Sequence, residues 1–135
     1  MNFSTWKNDI VELIEDLADF ELVLDRPFSD NEKYPAFVVA DVRDRFVEDS
    51  EGNEIHRVER TTEIFVLVEI ADRDQTTAED SAWVLAQEVK DELDAYFNKQ
   101  IKWITRQAQN FAIGSREVAA IKMEFVKEFQ EERNV

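Results

Sequence analysis

Residues 63–93 read EIFVLVEIADRDQTTAEDSAWVLAQEVKDEL, and this stretch decides the fold class. Ile64 to Val68 is apolar at every position. A run this short, apolar on both faces of its alternation, reads as a strand covered on both sides. Ala71, Asp72, Arg73 and Asp74 follow. Then Ala82, Leu85, Ala86, Val89, Leu93, Tyr96 and Phe97 recur at helical spacing. A strand therefore leaves a sheet and a helix begins. The acids at the junction, Asp72, Asp74, Glu79 and Asp80, have two readings. They are oxygen ligands for Mg²⁺ or Ca²⁺, or they are the polar chemistry of a helix start. Arg73 stands between two of them, and no glycine permits the sharp turn of a calcium loop. Thr76-Thr77-Ala78-Glu79 fits a capping box, with Thr76 as N-cap and Glu79 reaching back. Thr77 with Asp80 offers a weaker frame of the same kind. The capping reading is preferred, and no metal or cofactor is expected.

Upstream, Trp6, Ile10, Leu13, Ile14 and Leu17 place an amphipathic helix from about Ser4, its expected cap, to about Asp19. Residues 21–25 suggest a short strand, and residues 26–35 a loop with a proline near each end. A long strand starts at Ala36. Ser50-Glu51-Gly52-Asn53 signals a turn, and a second long strand runs from about Ile55 to Ile70. At about 3.3 Å per residue the outer half of this hairpin, about 43–60, reaches beyond a small sheet. It is expected to form an arm. That arm is either a solvated hairpin end or a contact with another subunit. Arg43, Phe46, Val47, Ile55, Arg57, Val58 and Arg60 are its candidate interface residues. Trp83 joins them, because its row on the helix holds Gln87, Lys90 and Asp94. It is either a contact point or a lid over a sheet edge.

Downstream, Ile101 to Ile113 reads as a strand and Gly114-Ser115-Arg116 as a turn. The run VAAIKMEFVKEF fits both periods. Val118, Ile121, Phe125 and Phe129 suit a helix, while Ala119, Ile121, Met123, Phe125 and Phe129 suit a strand. The glycine turn favours a strand, with residues 131–135 as a frayed tail. The whole, residues 1–135, is expected to be one α+β (α/β) domain: a mixed sheet of four or five strands, two helices packed against it, and a long protruding hairpin.

Composition narrows function. The chain has 135 residues with 31 acids against 16 bases, a net charge of −15. That disfavours binding to nucleic-acid phosphates. With 44% hydrophobic residues and ten phenylalanines, it is no disordered acidic tail. Two glycines, two prolines and no cysteine leave no phosphate-cradling loop and no thiol chemistry. The sequence has no long apolar run to span a membrane, and its start does not read as a secretory signal. The single histidine, His56, lies in the charged arm and reads as an exposed strand residue. No nucleophile with a base is identifiable, so an enzyme is the weakest class.

An N-terminal amphipathic helix, a long hairpin, IFVLVEIAD leading into AEDSAWVLAQEVKDEL, and a closing hairpin ending AAIKMEFVKEF together resemble the tail-terminator (tail-completion) proteins of long-tailed bacteriophages. The resemblance covers nearly the whole chain as a pattern of elements. It carries no signature residue that maps onto a position here. It implies a ring, commonly a hexamer, at the head-proximal end of the tail tube. The ring stops tube growth and offers a surface to the neck, so the implied partners are tail tube and neck proteins. It also implies a virion tail or neck location after assembly in the host cytoplasm. An acidic lumen would let DNA pass without specific binding. Two rivals stand beside it. One is an acidic secretion-type chaperone that binds an extended segment by strand addition. The other is an inhibitor or immunity-like protein whose acids neutralise a basic partner.

Overall fold

The computed structural model describes residues 3–25, 33–47, 55–70 and 74–132. Helix α1 spans Phe3–Glu15, and strands β1, β2 and β3 span Leu22–Leu24, Ala36–Val47 and Ile55–Glu69. Helix α2 (Gln75–Tyr96) is followed by β4 (Ile101–Ala108), β5 (Phe111–Ile113) and β6 (Arg116–Glu132). The sheet order is β1-β2-β3-β6-β4, with β5 also on β6. Among the described residues, β1–β2 is parallel and the other pairs are antiparallel. This is the expected mixed sheet with two helices, an α+β fold.

Strand β6 holds the centre. It pairs with β3 from Glu69↔Val118 to Ile55↔Glu132, and with β4 on its other side. Period 2 therefore wins over the helical reading of residues 118–129. Ala119, Ile121, Met123 and Phe125 are buried toward the helices, while Val118 and Ala120 are buried on the other face. A central strand offers both faces and both edges, and this sequence fills both faces. The extended pairing also corrects the tail, since residues 131–132 belong to β6. The arm is three-stranded rather than a lone hairpin, because β6 accompanies β3 along it.

Both helices lie on one face. Trp6, Ile10 and Ile14 of α1 share a core with Ala78, Ala82, Ala86, Val89 and Leu93 of α2. Trp6 stacks on Phe97 at 5.1 Å and meets Phe129 edge-on at 5.5 Å, while Phe125 packs against Trp103 at 5.1 Å. The buried Trp6 Nε1–H donates to Thr62 Oγ1 at 2.8 Å, which satisfies both polar groups. Helix α1 stops at Glu15, short of the expected Asp19. The chain turns there, with Ala18 at φ 58°. Ser4 falls inside the helix, so it is not the cap.

The start of α2 also differs from expectation. The N-cap is Asp74, whose Oδ1 accepts from the Thr77 backbone N–H at 2.7 Å and whose Oδ2 accepts from Thr77 Oγ1 at 3.1 Å. An ionised, short carboxylate outcompetes a threonine hydroxyl for this role. Thr76 thus lies in the first turn, and Glu79 does not reach back to cap. Glu79 Oε1 accepts from Gln75 Nε2 at 2.9 Å and from Asn110 Nδ2 at 2.8 Å. It ties the helix to the joint between β4 and β5. Asp72 lies outside the described residues.

Candidate interaction surfaces

The arm residues divide sharply. Arg60 is 3% exposed. Its Nε and Nη2 donate to Asp44 at 2.8 and 2.9 Å. Its guanidinium carbon lies 5.0 Å from the Phe3 ring, 5.3 Å from Trp6 and 5.2 Å from Phe129. Val58 is 1% exposed. Both were candidate interface residues, and both belong to the interior. For Arg60 the reason is α1, whose Phe3 and Trp6 rings lie over its guanidinium. Arg43 and Arg57 are outward. Arg43 bonds Asp41 at 3.0 Å and Glu124 at 3.1 Å, and these bonds raise its already high pKa. Arg57 meets Glu128 at 3.5 Å. Phe46 is 65% exposed and Val47 is half-buried. The side chains of Ile55 and His56 and residues 48–54, where a turn was expected, lie outside the described residues.

Trp83 is half-buried and packs on the edge of the core. The Arg106 guanidinium of β4 lies 5.3 Å from its ring and donates to Gln87 Oε1 at 2.6 Å. Of the two sequence readings, the lid over a sheet edge describes this position.

The second face of the sheet has two halves. At one end Ala36, Val38, Leu67, Val118 and Ala120 form a small apolar cluster. Phe65, Phe111, Ile113, Leu22, Leu24 and Tyr34 pack around it, half-buried. No described helix residue joins this cluster. Toward the arm the same face becomes a charge ladder. Arg43 bridges Asp41 and Glu124, and Lys122 sits 3.8 Å from Glu63 and 3.5 Å from Glu124. Among the described residues, no group of three His, Cys, Asp or Glu is placed to hold a metal ion. No described helix is long and apolar enough to cross a membrane.

The segments at the two ends of the sheet differ in charge, a signal that sequence reading by motif passed over. Between Asp94 and Glu117 the chain runs 22 residues without an acid, but with Lys99, Lys102, Arg106 and Arg116. This segment builds β4 and β5. Residues 3–25, which build α1 and β1 at the other end of the sheet, carry seven acids and one base. At β4 the register shifts between Trp103 and Thr105. The bulge turns Ile104 outward, 55% exposed. Beside it an open groove is bordered by Glu59, Lys102, Val126 and Glu128. The same break explains why Trp103 and Phe111, in phase by simple alternation, pack on opposite faces.

Asp94 fastens β4 to α2. It accepts from Trp103 Nε1 and from Lys90 Nζ, both at 2.9 Å. Burial pushes its carboxyl up, but the bonds from Trp103 and Lys90 outweigh this and hold it below the ordinary aspartate value. A carboxyl depressed by folding stabilises the protein above its unfolded pKa and loses that contribution as pH falls through the folded value. Asp94→Asn is therefore expected to lower the melting temperature at neutral pH. The gap from the parent protein should close once pH drops below the ordinary aspartate range. A gap that stays constant across an acid titration would contradict this role.

No protein-family model matches the sequence, and a comparison with curated proteins gives no match.

Proposed function

We propose that this chain is a self-associating structural subunit of the tail-terminator kind. It forms a ring, in the commonest arrangement a hexamer, at the head-proximal end of a phage tail tube. There it ends tube growth and presents a surface to the neck. The observation that supports this most is the placement of both helices on one face of the sheet. Two helices bury one face, while the other carries an apolar half with no described helix over it. The cluster itself is buried, and the half-buried Phe65, Phe111 and Ile113 around it leave the apolar surface, bordered by charge, that a protein contact would use. The three-stranded arm extends that face. The net charge of −15 suits a conduit past which DNA moves without sticking.

Sedimentation over a wide concentration range, with electron microscopy of the protein added to tail tubes, tests the proposal. The expected result is a closed oligomer bound at one tube end. A monomer at every concentration that ignores tube ends would defeat it. A dimer holding an extended client segment would favour the chaperone reading instead.

A further inference from the structure

A ring of identical copies needs two different surfaces that fit each other, since a head-to-tail contact is heterologous. We infer that the β4 edge, with Lys102, Ile104 and Arg106, docks on the acidic outer surface of α1 and the β1 end of a second copy of this chain. This inference rests on the ring reading and names its contact.

Three observations carry it. The first is position, because β1 and β4 end the strand order and so lie at opposite sides of the sheet. The second is charge complementarity. Glu12, Glu15, Asp16, Asp19 and Glu21 are exposed on or just after α1. Carboxyls crowd there to the point that Glu88 of α2 hydrogen-bonds Asp19, which together with burial and repulsion raises the Glu88 pKa. On the other side, neither Lys102 nor Arg106 forms an ion pair with a described residue. Lys102 stays unbridged although it shares the groove with Glu59 and Glu128. In a chain with 31 acids and 16 bases, cations without a carboxylate partner are the scarcer group, although Arg106 does bond Gln87 and lie over Trp83. The third is shape. The bulge sets the exposed Ile104 between the groove on one face and a smaller concavity formed with Lys90, Trp103 and Arg106 on the other. An apolar knob flanked by cations gives a contact both a dry centre and a charged rim. The bulge also spoils β4 as a template for indiscriminate strand pairing, so side chains rather than backbone select the partner.

The test is a charge-swap experiment followed by sedimentation and mass photometry. Lys102→Glu, alone and with Arg106→Glu, should weaken self-association by about tenfold or more. Glu12→Lys with Glu15→Lys and Asp16→Lys should do the same. Mixing the two kinds of variant should restore association, because the intact acidic surface of one meets the intact basic edge of the other. Native assembly should also weaken as salt is raised. Lys102 makes no side-chain bond among the described residues, so its single variant separates docking from folding, with circular dichroism as the check. If the parent chain assembles and Lys102→Glu assembles equally well, the contact is elsewhere and the ring reading survives. Variants that fail alone and fail when mixed also overturn this pairing. A parent chain that never associates removes both.

Discussion

Replacing Arg60 with alanine is expected to cost about 3 kcal/mol, the lower end of the ~3–5 kcal/mol lost when one partner of a buried ion pair is removed. The estimate sits at that end because Asp44 keeps 17% of its side chain in solvent and can partly rehydrate. The same substitution also removes the cation lying over Phe3, Trp6 and Phe129, so about 3 kcal/mol is a lower bound. Arg57, three residues earlier on the same strand, gives the contrast. Its pair with Glu128 is 3.5 Å long, with side chains 46% and 50% exposed, and such pairs contribute about 0–1 kcal/mol. Urea unfolding of Arg60→Ala and Arg57→Ala should therefore separate the two clearly. Equal losses would mean that α1 does not close over this part of the arm.

Phe125→Ala should be at least as damaging, at about 3–5 kcal/mol. Its ring is fully buried and lies 5.1 Å from Trp103, 6.0 Å from Phe97 and 6.4 Å from Trp6. Against a total stability of about 5–15 kcal/mol for a domain of this kind, that is a large share. Met123→Ala should cost about 2–5 kcal/mol for the same reason, whereas Val126→Ala, half-buried on the second face, should cost about 1 kcal/mol or less. The alternation is the point of the series. Met123 fits only the strand period, so a small effect there alongside a large one at Phe125 would restore the helical reading of this segment.

Much of the fold was legible because hydrophobic period and turn chemistry agreed. Ile64–Val68 announced a strand covered on both faces, the Ala82–Leu93 stripe announced α2, and Gly114, at φ 61°, announced the last hairpin. Contacts distant in sequence were not legible. Arg60 looked like one more charge on a polar arm, since nothing local shows that Phe3 and Trp6, more than fifty residues away, fold over it. Val58, paired with Phe46 and Phe129 on the neighbouring strands, is buried as well. At the start of α2, the threonine frames, Thr76 with Glu79 and Thr77 with Asp80, give way to an Asp74-to-Thr77 cap that the capping-box pattern does not include. Asp74 wins through the stronger acceptor, a difference of degree that spacing alone does not weigh. The bulge at Ile104 was hidden because one extra residue in an edge strand leaves no compositional mark. The acid-free run from 95 to 116 was visible in the sequence, but it gains meaning only when β4 is known to be an outer strand.

The central place of β6 has a further consequence for how the molecule comes into being. It follows every other strand in the chain, yet it supplies the neighbour for both β3 and β4. On a ribosome, those two strands emerge before the strand that will lie between them. Until residues 116–132 are free, the half-built sheet holds Ile64, Val66 and Val68 beside an empty slot, where another chain could insert a strand of its own. Closing the slot joins segments far apart in sequence, which is slow by the loop entropy it consumes.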